Sequence, residues 1–242
     1  MSTDWPAIVD GTWPAARYIS HGAFLLREGQ GGGSRVSAAT AQSSVTPEDI
    51  TLAEDQMRVM EQRRLFMIRP GEETLDTQLA ARGYDVLDPV DIYTCPTHQL
   101  TDIVLPRVTV FAIWEPLAIM HEIWERAGIG AARRAVMARA PGPKTGLLIR
   151  RKDKPAGAGF AAIHGATAMV HALEILPEHQ RNGLGGWAMR AAAFWALENG
   201  GDTLSVICTK ENAAAGALYR SLGMQLAGHY HYRVLDQKGE AN

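Results

Sequence analysis

Residues 173–186 read Leu-Glu-Ile-Leu-Pro-Glu-His-Gln-Arg-Asn-Gly-Leu-Gly-Gly. An apolar strand runs into a glycine-rich turn, and helix-forming residues come directly after it. The first N–H groups of a helix have no partner within it, and the helix dipole is positive at that end, so such a turn is suited to an anion. Glycines let a phosphate approach the backbone with no Cβ in the way. Gln180, Arg181, Asn182, Gly183, Leu184, Gly185 and Gly186 therefore read as a pyrophosphate cradle, with Arg181 adding a charge. Two other phosphate loops do not fit: there is no G-x-x-x-x-G-K-[ST], and no G-x-G-x-x-G with an acid about 20 positions on.

A second pattern lies further along. Asn212-Ala-Ala-Ala-Gly-Ala-Leu-Tyr219-Arg-Ser-Leu-Gly223-Met224 stands beyond an expected helix over 184–198 and a short apolar strand over 204–208. Gln180-x-x-Gly183-x-Gly185 and Asn-x-x-Ala-x-x-Leu-Tyr-x-x-x-Gly-Met, in this order and spacing, resemble the two signatures of the GNAT superfamily of N-acetyltransferases. The resemblance covers about residues 107–234. It implies acetyl-CoA as cosubstrate and no metal. It also implies that the backbones of Leu173, Glu174 and Ile175 hold the pantetheine arm like an added strand, and that Asn212 and Tyr219 contact the cofactor. Asn212 equally suits a helix N-cap.

Acyl transfer to an amine needs a positioned thioester, a neutral amine, a donor to the developing oxyanion and a proton for the leaving thiolate. By resemblance Tyr219 is the acid; an unperturbed phenol titrates near 10, close to a thiol. Its alternative role is packing. For the base, Glu174 and His171 both lie on the expected central strand. Three residues apart on a strand, they are expected to face opposite sides. Histidine has the better unperturbed pKa; either residue can instead be a plain strand residue. His164, His229 and His231 are weaker candidates. Trp114, Met120, Ile123 and Trp124 recur at helical spacing, which is core more often than a substrate cage. Arg133, Arg134 and Arg139 read as a solvated face or as selectors of an acidic acceptor.

These residues must be positioned by strands over 108–113, 146–150, 157–163 and 167–176, with two helices between 116 and 140. The implied fold is α+β of the GNAT type: a mostly antiparallel sheet, a splayed central strand and helices on both faces. Earlier in the chain, strands over 24–27 and 35–39 are expected to form a hairpin around Gly31–Gly33. Thr46-Pro47-Glu48-Asp49 starts a helix, a second helix spans 72–81, and 84–95 is expected as a strand pair broken near Pro89. Leu79-Ala-Ala-Arg-Gly83-Tyr84 echoes Leu218-to-Met224, so the first half reads either as a partial, degenerate GNAT unit or as an unrelated cap. The expected division is 1–100 and a catalytic domain over 104–242.

The formal charge of −2 on 242 residues gives no general nucleic-acid or membrane surface. No apolar run is long enough for a bilayer, and the first residues do not resemble a signal peptide. Cys95 and Cys208 read as free buried thiols of a reducing cytoplasm. No His/Cys cluster suggests zinc. The leading reading is an acetyl-CoA-dependent N-acetyltransferase acting on a small molecule or a peptide or protein amine, with a homodimer as one possible assembly. Its alternative is a non-catalytic acyl-CoA sensor or scaffold.

Overall fold

The computed structural model describes residues 3–235. In chain order its elements are α1 (Trp5–Thr12), β1 (Arg17–His21), β2 (Phe24–Glu28), β3 (Thr40–Ala41), α2 (Pro47–Val59), β4 (Arg64–Ile68), α3 (Glu73–Ala81) and β5 (Asp85–Pro96). Then come β6 (Val110–Ile113), α4 (Ala118–Arg126), α5 (Ala131–Arg139), β7 (Lys144–Arg151), β8 (Lys154–His164), β9 (Thr167–Ile175), α6 (Leu184–Glu198), β10 (Thr203–Thr209), α7 (Ala213–Ser221) and β11 (Gln225–Leu235). The chain divides into two compact units. The first takes residues up to Pro14, Ile92–Cys208 and Asn212–Gly228; the second takes Ala15–Asp91, Thr209–Glu211 and residues from His229. Strands β5 and β11 contribute residues to both.

In the first unit the strand order is β5-β10-β9-β8-β7-β6. Strands β6 to β9 pair antiparallel in sequence, and β9 and β10 pair parallel. The sheet is thus mixed and mostly antiparallel, as a GNAT fold requires. Helix α6 presents Ala188, Met189, Ala192, Ala193 and Ala196, all buried, to a core with Leu147, Ala161, Val170 and Leu204. The small alanines let the helix axis come close to the sheet, where larger residues would hold it off. Helix α1 is not foreshadowed by any periodicity in the sequence. Asp4 caps it by accepting the Ala7 N–H at 3.1 Å, and its Ile8 and Val9 pack with Met169 of β9.

The second unit has its own core of Phe24, Leu26, Ile50, Met57, Phe66, Leu79 and Tyr84. Its strand β4 pairs antiparallel with β11, Phe66 opposite Arg233. The expected hairpin is displaced. The turn lies at Gly22 (φ +57°) between β1 and β2, and residues 34–36 form a 3₁₀ turn instead of a strand. The expected break at Pro89 is also absent: β5 continues through it as one 12-residue strand, with Asp88 at positive φ just before the proline.

Candidate active site

The candidate site lies wholly in the first unit. It begins where two parallel strands part. Strand β9 pairs with β10 only from Thr167 to Val170, opposite Thr203 to Val206. Strand β9 nevertheless runs to Ile175 and β10 to Thr209. The backbone of Leu173, Glu174 and Ile175 therefore has no ladder partner on the β10 side. On its other side β9 pairs with β8, Glu174 opposite Ala158 and His171 opposite Phe160, with an irregularity between them. Ala172 takes a positive φ of 49° there, and its carbonyl accepts the Trp124 Nε1–H at 2.9 Å. This is a β-bulge, one extra residue that re-aims the rest of the strand.

The bulge corrects the expected orientation of the base candidates. One extra residue shifts the alternation by one. Leu173 then packs with Val170 and Ile175 toward the α6 core, and Glu174 falls on the same side of the strand as His171. Their surroundings differ. His171 is 4% exposed, between Trp13 at 4.9 Å and Phe160 at 6.2 Å between ring centroids. Its Nε2 lies 2.9 Å from the Thr12 hydroxyl, which donates its own proton to the Ile8 carbonyl. With that one proton committed, the Thr12 oxygen accepts from His171 Nε2–H. A histidine held in this tautomer within an aromatic shell is an organiser of the α1–β9 contact.

Glu174 is half-buried, and burial raises its pKa; Arg133 of α5 opposes this. Beside it stand Cys208 on the parted end of β10 and Tyr219 on α7. The Tyr219 hydroxyl is pushed well above the ordinary phenol range, first by burial, then by Cys208 and Glu174. The phenol is therefore a weaker acid than expected for an unperturbed tyrosine, and it stays protonated throughout the working pH range. Its ring packs at 5.7 Å from Tyr93. Packing and proximity to the splay thus coexist at this residue. Asn212 caps α7, its Oδ1 accepting the Ala215 N–H at 3.0 Å.

After β9 the chain turns through 177–179. Gln180 Nε2–H returns to the Ile175 carbonyl at 3.1 Å, and Asn182 Nδ2–H donates to the carbonyls of His179 and Gln180 at 3.1 and 2.7 Å. Arg181 is exposed at φ 57°, and Gly183 at φ 74° is the N-cap of α6. No side chain caps this helix, and its first turn has no acid. The first N–H to return into the helix is that of Trp187, to Gly183 O at 3.1 Å. The N–H groups of Leu184, Gly185 and Gly186 stand before it. The glycines are not equivalent. A Cβ on Gly185 would lie 2.8 Å from Leu218 Cδ2, so the end of that side chain would have to shift to admit it. A Cβ on Gly183 would meet only Trp187 Nε1, at 4.0 Å. Trp187, an indole donor at the cradle, escapes a sequence reading because a tryptophan in a helix reads as core.

The other candidates lie elsewhere. His164 abuts Gly11 of α1. In the second unit, His231 Nε2 is 2.8 Å from Asp76, and His229 belongs to that unit too. Met120, Ile123 and Trp124 are core, while Trp114 is 39% exposed. Arg134 pairs with Glu125, and Arg139 donates to the Pro14 carbonyl at 3.4 Å, so of the three arginines only Arg133 acts on Glu174. Among the described residues no group of His, Cys, Asp and Glu is arranged to hold a metal, and no helix is long and apolar enough to cross a membrane.

Comparison with known proteins agrees with this geometry. Residues 112–224 match the model of the acetyltransferase (GNAT) family. The chain is 24% identical over 232 residues to YobR of Bacillus subtilis (strain 168), an uncharacterized N-acetyltransferase, covering 92% of this chain and 94% of that one. Among solved structures it is similar to a GCN5-related N-acetyltransferase from Kribbella flavida, with TM-score 0.70 and 18% identity over 96% of this chain and 94% of the other. It is also similar to a tandem GNAT protein from the clavulanic acid biosynthesis pathway, with TM-score 0.56 and 12% identity over 85% and 76%.

Proposed function

We propose that this chain, whose residues 112–224 match the model of the acetyltransferase (GNAT) family, transfers an acetyl group from acetyl-CoA directly to an amine in a ternary complex. The observation that carries the reading is the parting of β9 from β10 beyond Val170 and Val206, beside an uncapped helix N-terminus. Open strand backbone and free N–H groups fit a ligand with an amide-bearing arm and a pyrophosphate. Acetyl-CoA, when bound, supplies the activated acyl group.

The chain's own residues then have separable tasks. The N–H groups of Leu184, Gly185 and Gly186, with Gln180, Arg181, Asn182 and Gly183, hold the pyrophosphate. The backbones of Leu173, Glu174 and Ile175 align the arm, and Asn212 flanks it. Tyr219 keeps a proton to donate toward the departing sulfur. Glu174, made more basic by burial, takes a proton from the amine. His171 is less suited to that task, since it is buried between the rings of Trp13 and Phe160. The acceptor is the amine of a small molecule or of a peptide or protein; a carboxylate at the splay favours a cationic one. We assign the catalytic domain to 104–242 and the first hundred residues to a degenerate GNAT-like unit. The absence of a disulfide between Cys95 and Cys208 suits a reducing cytoplasm.

The test is release of CoA thiol with a panel of amines, alongside thermal stabilisation by acetyl-CoA. Saturation at ~100 times the dissociation constant stabilises by ~2.7 kcal/mol. Stabilisation with no thiol release from any amine would turn the reading to a sensor. Absence of both would remove the cofactor site itself.

A further inference from the structure

We propose that Cys208 is a modification site that forms a mixed disulfide with the sulfur of coenzyme A; the proposal rests on the cofactor reading above. Strands β9 and β10 stop pairing after Val170 and Val206. Burial ends at the same level on both strands. Residues 168–171 and 204–206 are buried, whereas 172–175, Ile207 and Cys208 are half-buried. The two strands therefore border a cleft, and Cys208 stands in its wall. Alternate residues of a strand share a face, so Cys208 follows Leu204 and Val206. All three pack with Tyr219 and Leu218 of α7 and with Leu173 of β9. A sulfur is thus set on the same side of the cleft as the Tyr219 phenol.

Tyr219 is only 5% exposed, yet its hydroxyl makes no hydrogen bond among the described residues. A buried polar group with no protein partner points to a ligand atom that completes it. In the cofactor reading that atom is the thioester sulfur, which becomes the thiol of the product. One hydroxyl then faces two sulfurs, that of CoA and that of Cys208, which also bears on it electrostatically. The step that joins the sulfurs is an exchange with a CoA disulfide. Cys208 gives its proton to water, and its thiolate attacks one sulfur of the disulfide held in the cleft. A bond forms between Cys208 Sγ and that sulfur, the original sulfur–sulfur bond breaks, and the second CoA leaves as a thiolate. One disulfide replaces another, so no further oxidant is needed. The tethered CoA then fills the acyl-CoA site until a thiol reductant removes it. Cys95 is the contrast within the same unit: it is 3% exposed, and burial pushes its thiol pKa up to about 11.

The reduced full chain is incubated with CoA disulfide, and intact mass and peptide mapping read the product. One CoA per chain is expected, linked at Cys208, released by dithiothreitol and not formed on Cys208→Ala. Acetyl-CoA at ~10 times its dissociation constant should slow the reaction ~10-fold by occupying the cleft. Glutathione disulfide has no nucleotide to hold it there and should react at least ~100-fold more slowly. No adduct, an adduct at Cys95, a rate unmoved by acetyl-CoA, or glutathione disulfide reacting as fast as CoA disulfide each overturns the inference. Thermal stabilisation by reduced CoA, measured on the parent and on Cys208→Ala, separates this outcome from the cofactor reading. Stabilisation of both without an adduct sinks the inference alone. Stabilisation of neither removes the cofactor site, and the inference with it.

Discussion

Helices α3 and α7 end alike and begin differently. In α3, Gly83 N–H bonds Ala80 O at 3.0 Å and Tyr84 N–H bonds Leu79 O at 3.1 Å; in α7, Gly223 N–H bonds Arg220 O at 2.9 Å and Met224 N–H bonds Tyr219 O at 3.1 Å. Both are Schellman endings with a glycine at positive φ, 84° and 76°. The same position in the motif holds Leu79 in one and Tyr219 in the other. The helices that come after the β4 and β9 strands differ more. Helix α3 has Glu73 and Asp76 in its first turn, and Arg69 closes onto Glu72 just before it. Helix α6 has neither acid nor cap. One unit neutralises its helix dipole with its own carboxylates, and the other leaves it uncompensated. Carboxylates at the start of α3 would repel a phosphate that the start of α6 would attract.

The largest effect is expected at the shared ending. Tyr219→Phe keeps the ring, as a leucine-like filler, and removes the hydroxyl. We expect turnover to fall by ~10²–10⁴-fold with an unchanged dissociation constant for acetyl-CoA, measured by single-turnover kinetics and calorimetry. An unchanged rate would leave Tyr219 as packing, as Leu79 is.

Gly186→Glu gives α6 the first-turn carboxylate of α3. A Cβ there makes only ordinary contacts, with Leu218 and Leu222 at 3.9 Å. The apoprotein should gain ~1 kcal/mol from the dipole and from replacing glycine, while acetyl-CoA affinity drops by ~100-fold through charge repulsion and lost access. Thermal melts with and without ligand read both signs. Equal affinity in the variant would erase the distinction between the two helix starts. Gly183→Ala is the milder companion, opposed by φ and not by neighbours, whereas any side chain at Gly185 also disturbs α6–α7 packing.

Glu174 sets a pH dependence. Its folded-state pKa is raised, so the folded state holds the proton more tightly than the unfolded state does. Stability is therefore lost as pH rises from the unfolded to the folded value, and the cost persists above it. Glu174→Gln should stabilise the protein at neutral pH and have no such advantage below the ordinary carboxylate range. It should also remove the acidic limb from the kcat/KM profile. Chemical denaturation at several pH values and a rate profile check the two arms.

The smallest effect is expected in the second unit. Arg233, then His231, hold Asp76 below the usual carboxylate range. Asp76→Asn should cost ~1 kcal/mol at neutral pH. The difference closes as pH falls through the carboxylate range, because a depressed carboxylate stabilises only while ionised. Acetyl-CoA affinity should not change.

The elements legible in the sequence were those that local chemistry dictates. Thr46 and Asp49 form a capping box at the expected start of α2, Asn212 caps α7, and α6 spans 184–198 as expected. The cradle's glycine pattern identified a turn because backbone conformation at Gly183 depends on that residue alone. The features that escaped depend on residues far apart in the chain. The bulge at Ala172 has no marker in Leu-Glu-Ile, since it arises from register against β8, and it placed Glu174 and His171 on one side. The burial of His171 required Trp13, from a helix whose short span and Gly11 gave little periodicity. The Gly29–Gly33 loop read as a hairpin because glycine marks a turn without specifying the element beyond it.

The bond between His171 and Thr12 spans 159 residues of chain. On a ribosome, the helix that supplies Thr12 emerges well before its partner strand. At ~5–20 residues per second, roughly 8–30 s separate them. During that interval Ile8, Val9 and Trp13 lack the surface that buries them, while residues 15–68 emerge with most of the second unit's core already in hand. Synthesis thus imposes an order that the finished molecule conceals: α1 is made well before the strand onto which it docks. A fusion or deletion that ends near Pro14 acts on that delayed docking step, and its effect would appear at β9, next to the chemistry.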